Sequence, residues 1–118
     1  MSVALDIFKD SKDYKTFAPG ETIFEEGQTG DYMYVLIEGQ VDIVVDDKVY
    51  DTLSPGGIFG EMALIDDSPR SATVRANVYC KVVPIDQYNF THYVQHSPFF
   101  ALQVMSVMAE RLRRKMSN

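Results

Sequence analysis

The chain has 118 residues, enough for one compact core and too few for two. Hydrophobic residues make up 46% and charged residues 24%, which argues against a disordered chain and lets a core form without disulfides or metal. A net charge of −6, from 11 basic and 17 acidic side chains, disfavours a duplex-binding surface, and no apolar run approaches the length of a membrane span.

Residues 1–6 carry no basic start ahead of an apolar stretch, so no targeting leader is expected. With Cys80 the only cysteine, a disulfide framework is excluded, and a reducing, cytoplasmic setting fits. The first eight or so residues predict a short helix with weak amphipathicity from Val3, Leu5, Ile7 and Phe8. From Tyr14 the texture changes to short runs rich in Val, Ile, Tyr, Phe and Thr, at 22–24, 32–38, 40–45, 48–53, 72–76 and 79–84. Glycine-bearing turns separate them, at Pro19-Gly20, Glu26-Gly27, Thr29-Gly30, Glu38-Gly39 and Pro55-Gly56-Gly57. Closely spaced strands with such punctuation predict an antiparallel sandwich or barrel, and Asp46-Asp47 predicts a hairpin turn. Cys80 shares a strand face with Val82 and reads as a buried structural thiol.

After Pro84 the pattern becomes helical. A first helix is predicted over 85–95 with Asp86 as N-cap. Ser97-Pro98 then opens a second helix that runs unbroken to about Lys115. Ala101, Met105, Met108 and Leu112 make a seam along it, widened by Val104 and Val107, and suited to another helix or a sheet face. The basic run of Arg111, Arg113, Arg114 and Lys115 suits the negative end of a helix dipole. The fold class is therefore mainly β with flanking helices. A β-roll over about 14–84, a jelly-roll-like double-stranded β-helix, follows a short N-terminal helix and leads into C-terminal helices over about 85–116. One domain over 1–118 is expected.

The segment that carries chemistry is 58–76. Gly60 opens a short helical turn to about Ile65, and small residues at Gly60 and Ala63 let a ligand approach the backbone closely. Asp66-Asp67-Ser68-Pro69 turns the chain back and delivers Arg70, whose guanidinium suits phosphate oxygens. Glu61, beside an anion site, is better used accepting from a sugar hydroxyl. On spacing alone, an ordinary strand–turn–helix with Arg70 as a surface charge reads equally well.

Phe59-Gly60-Glu61-Met62-Ala63-Leu64 followed by Pro69-Arg70-Ser71-Ala72-Thr73-Val74 resembles the phosphate-binding cassette of the cyclic nucleotide-binding domain family. That family includes bacterial catabolite-activator-type regulators and the regulatory subunits of cAMP-dependent protein kinase. The resemblance extends upstream through the segments at 19–27, 30–36 and 39–43, and downstream into the helices. It implies that Arg70 pairs with the exocyclic phosphate and that Glu61 accepts from the ribose 2′-hydroxyl. Backbone N–H groups near Gly60, Ala63, Ser71 and Ala72 would complete the cradle, and Met62, Val74 and Ile43 would join the ligand contacts, Ile43 near the base. Asp42 resembles the acidic residue that orients the cassette arginine, although simple alternation puts it on the opposite sheet face from Ile43. Ser71 does not decide between cAMP and cGMP, and cAMP is favoured.

The remaining features point away from catalysis. His92 and His96 lie one turn apart in the first C-terminal helix, but no carboxylate joins them at a convincing spacing, so a metal-dependent enzyme is not expected. Met105, Met108 and Met116 suit a core, an interface or a flexible lid. Asp66 and Asp67, adjacent in a turn, diverge and read as solvated. The chain stops just past the long helix, so no direct DNA binding is expected from it. The expectation is a sensory module with no cofactor, binding cAMP or cGMP and signalling through its C-terminal helices to an unidentified effector. A homodimer through the C-terminal helix is part of that expectation. The alternative is a dimerisation module of the same fold whose site binds no nucleotide.

Overall fold

The computed structural model describes residues 2–116; the side chain of Met116, grouped above with Met105 and Met108, lies outside what is described. The elements run α1 (Val3–Phe8), β1 (Lys15–Phe17), β2 (Thr22–Phe24), β3 (Met33–Glu38), β4 (Val41–Val45), β5 (Lys48–Leu53), β6 (Ile58–Phe59), α2 (Met62–Ile65), β7 (Thr73–Ala76), β8 (Cys80–Ile85), α3 (Gln87–His96) and α4 (Pro98–Met116). The strands form two antiparallel four-stranded sheets, ordered β1-β8-β3-β6 and β2-β7-β4-β5. The predicted architecture of a β-roll flanked by helices is the one observed.

Local chemistry accounts for the boundaries. Asp46 and Asp47 take φ of 51° and 64°, the left-handed pair that a two-residue hairpin needs between β4 and β5. Ile85 pairs with Met33 and ends β8, so α3 starts after it. Asp86 caps that helix by accepting from the Asn89 N–H at 2.8 Å. The Ser97 hydroxyl accepts from the Phe100 N–H at 3.4 Å as α4 begins at Pro98.

Alternation along β3 divides the core in two. Tyr34 and Leu36 point into the roll with Val41, Phe59, Val74, Ala76, Cys80 and Val82. Met33 and Val35 point the other way, where Ile58, Val83 and Ile85 meet Ala4, Phe8, Phe100 and Val104 from the helices. The strand is thus buried on both faces over its first four residues. The ring of Phe8 packs edge-on against Tyr93 at 4.7 Å and Phe100 at 5.7 Å, locking α1, α3 and α4 together.

That lock sets the rotation of α4 and splits the predicted seam. Phe100 and Val104 are buried and Met108 is half-buried against the roll, whereas Met105 and Leu112 are 55% and 59% exposed. With Val104 committed inward, the next residue is carried about 100° around the helix toward solvent. Cys80 is fully buried, and its thiol donates to the carbonyls of Gln40 at 3.0 Å and Val78 at 3.2 Å. Among the described residues no helix is long and apolar enough to cross a membrane.

Two outcomes follow from this core. Phe100→Ala should destabilise the chain by about 3–5 kcal/mol in chemical denaturation, since a buried aromatic leaves a cavity three helices cannot close. Burial pushes the Cys80 thiol above its ordinary value, so a thiol reagent at neutral pH should label it only on unfolding.

Candidate ligand-binding site

β6 ends at Phe59, and Gly60 swings the chain into α2 with a φ of 75°. A side chain there would be strained, and its Cβ would meet Arg70 Nη1 at 2.7 Å. The return turn is built by Asp66, whose carboxylate accepts from the Ser68 N–H at 2.9 Å; those hydrogen bonds hold its carboxyl below the usual range. Arg70 follows. Its N–H donates to Gln28 O and its carbonyl accepts from the Gly27 N–H, both at 2.8 Å, so the loop between β2 and β3 grips its backbone.

The Arg70 side chain is only 8% exposed. Nη1 donates to Gly60 O at 3.0 Å and Nη2 to Tyr32 O at 2.8 Å, and the Phe24 ring lies 4.0 Å from Cζ. Nε is buried and has no hydrogen-bond partner among the described residues. Burial pulls the guanidinium below its ordinary value, against the opposing influence of Tyr34, Glu61 and Asp31. Tyr34 is itself raised, chiefly by burial.

Glu61 is 3% exposed and pairs through Oε1 with Arg111 of α4. Arg111 Nη2 also donates to Ile58 O at 2.6 Å. One turn further along α4, Arg114 bonds Asp51 at 2.9 Å and stacks over the Tyr50 ring at 4.7 Å. The basic run therefore does more than complement a dipole: Arg111 and Arg114 reach back and fasten the end of α4 to the roll.

Around these groups lies a cavity of about 420 Å³. Gly60, Glu61, Met62, Ala63, Arg70, Ser71, Ala72, Ile43 and Val74 all line it, and of the site residues expected from the sequence only Asp42 does not. Asp42 faces away, accepting from Thr52 Oγ1 at 2.8 Å and Asn77 Nδ2 at 3.0 Å, so it does not orient Arg70. Alternation decides this. The bulge in the β4–β5 pairing falls after it, between Ile43 and Val44, and leaves Asp42 on the outer face. The Ala63 N–H, expected in a phosphate cradle, donates to Gly60 O at 3.2 Å. Sequence reading missed Phe24 and the α4 wall of Met108, Ala109, Arg111, Leu112 and Lys115. The spacing of Met108, Arg111, Leu112 and Lys115 on one helix face was the available signal. His92 and His96 are exposed, with rings 4.4 Å apart, and among the described residues no group of three potential ligands could hold a metal.

A buried arginine and a buried glutamate thus share one segment beside one apolar cavity. The family model of the cyclic nucleotide-binding domain matches residues 14–97, and the chain belongs to that family. The cAMP-dependent protein kinase regulatory subunit of Eremothecium gossypii is 37% identical over 81 residues, 69% of this chain and 18% of that subunit. The chain thus spans less than a fifth of that relative's length. A solved structure of PKAR CBD2 bound to Sp-2Cl-cAMPS shares 30% identity, with a TM-score of 0.73 over 91% of this chain and 80% of that one. A structure solved for a cyclic-GMP-dependent signalling pathway that regulates bacterial phytopathogenesis shares 27% identity, with a TM-score of 0.78 over 97% of this chain and 95% of that one.

The two arginines of α4 should be separable by mutation. Arg111→Ala leaves the Glu61 carboxylate buried without its ion partner and should cost about 2 kcal/mol in denaturant unfolding. Arg114→Ala removes a solvent-facing pair and should cost clearly less in the same measurement.

Proposed function

We propose that the chain is a non-catalytic receptor for a cyclic purine nucleotide, with cAMP favoured over cGMP, and that it passes ligand engagement on through α4. The observation that carries this reading is Arg70, an arginine of the cavity wall that is 8% exposed, fixed by two carbonyls and left with an unpartnered buried Nε. Such a group is costly to bury alone, and an exocyclic phosphate offsets that cost by charge-assisted bonding. Glu61 accepts the ribose 2′-hydroxyl through its second oxygen, as Oε1 is held by Arg111. The purine lies in the slot between Ile43 and Val74 on the roll and Met108 and Leu112 on α4.

The preference for cAMP draws support from the kinase regulatory subunit and from the structure bound to a cAMP analogue. Output runs through α4 because Arg111 and the ligand share Glu61, so the position of the helix end and the state of the site bias each other. The outer face of α4 then meets a protein partner, which we take to be a second copy of the chain. Leu102 and Met105, both exposed, outside the cavity wall and three residues apart on α4, match the spacing of a helix-pair seam.

Isothermal calorimetry with cAMP and cGMP is the test. Wild type should bind both, cAMP more tightly, and Arg70→Ala should weaken cAMP about 100-fold through loss of charged hydrogen bonds. Negligible heat from both nucleotides with wild type would overturn the reading. Sedimentation with and without cAMP reports the helix output: a mass that ignores the nucleotide would favour a dimerisation module with a non-binding site.

A further inference from the structure

We infer that Gly30 is a positioning residue for Arg70: the side chain it lacks is the space in which the guanidinium lies. This rests on the reading of Arg70 as the phosphate receptor and adds what aims it.

Gly30 sits in the loop between β2 and β3, two residues before Tyr32, whose carbonyl accepts from Arg70 Nη2. A Cβ built on Gly30 would stand well inside contact distance of Nη2, Cζ and Nε of Arg70. These are its nearest neighbours, and all three belong to the guanidinium; none is backbone. Nε is also the donor that has no partner among the described residues. A methyl at position 30 would therefore crowd the guanidinium on the side of its unpartnered donor and push it from its seat.

The backbone does not explain this glycine. Its φ lies outside the left-handed region, so it is not a left-handed φ that calls for glycine there. Gly27, in the same loop, is the contrasting case: its φ is 88°, and a Cβ on it would meet nothing. Gly27 is needed for its conformation and Gly30 for its emptiness. The rest of the guanidinium cannot yield in place, because the Phe24 ring lies at 4.0 Å and the carbonyls of Gly60 and Tyr32 hold the two terminal nitrogens. The clash at Gly30→Ala falls on the tip of a flexible side chain, so the fold should persist while Arg70 leaves its seat.

The experiment has two arms. In nucleotide-free protein, the Nε–H resonance of Arg70 should be protected from solvent exchange in wild type and lose that protection in Gly30→Ala, with the unfolding midpoint little changed. In a double-mutant cycle, cAMP affinity is measured for wild type, Gly30→Ala, Arg70→Lys and the double variant. Gly30→Ala should weaken cAMP by about 10- to 100-fold in the wild-type background, the size of a lost charged hydrogen bond. It should change affinity less than about twofold beside Arg70→Lys, because the two substitutions remove the same contact. Unchanged Nε–H protection in Gly30→Ala, or equal losses in both backgrounds, would overturn the inference. Wild type that binds no nucleotide would instead sink the receptor reading, and the exchange arm would still decide the role of Gly30.

Discussion

The burial of one guanidinium without a bonded carboxylate organises the end of the roll. Water is a better solvent for Arg70 than the cavity wall, so the fold must replace part of its hydration with protein acceptors. Tyr32 supplies one carbonyl from the start of β3, and Gly60 supplies another from the turn after β6. The β2–β3 loop holds the arginine's backbone at Gln28 and Gly27. Two connections that are distant in sequence, the β2–β3 loop and the turn after β6, converge on one side chain. Each is irregular backbone, which a strand could not provide, because strand carbonyls are spent on their ladders.

The same end of the roll is closed by α4, and there the electrostatics have a different character. Arg111 meets a carboxylate that is almost completely buried, whereas Arg114 meets Asp51 at the surface. The inner pair is thus sensitive to whatever else Glu61 bonds, and the outer pair is screened by water and salt. Phe100 and Val104 anchor the beginning of the helix into the core independently of either pair. The helix is therefore fixed at its root and held by replaceable bonds at its tip. A change at Glu61 has a lever to act on.

Sequence alone made most of the roll legible, because its signals are local. Alternation and glycine turns placed β2 and β5 to the residue, and Asp46-Asp47 declared its own hairpin through left-handed tolerance. β1 and β6 were not legible: three and two residues carry no periodicity, and pairing with β8 and β3 is what makes them strands. The cassette was legible as a motif, but the wall facing it was not. Arg111 and Glu61 lie 50 residues apart, and no local pattern joins them. The rotation of α4, set by Phe8, Tyr93 and Phe100, decides that Met108 faces the cavity and Met105 faces solvent. Asp42 shows the reverse failure. Plain alternation placed it outside correctly, and analogy drew it toward the arginine.

That displacement has a consequence for how the site works. A carboxylate bonded to Arg70 would fix its direction and neutralise it together, so an incoming phosphate would compete with an internal anion. Carbonyl oxygens fix direction and leave the charge in place. With Asp42 committed to Thr52 and Asn77, Arg70 is aimed by neutral groups only, and its hydrogen bonds go to no carboxylate among the described residues. Glu61, the acidic group on the same segment, is engaged by Arg111 and so contributes less of its negative charge near Arg70. The Arg111–Glu61 pair and the bonds of Asp42 to Thr52 and Asn77 thus keep carboxylates from bonding Arg70. Under the proposed function, a cation held by dipoles gains the full attraction of an anion when one arrives, and the low polarity of the cavity walls strengthens that attraction.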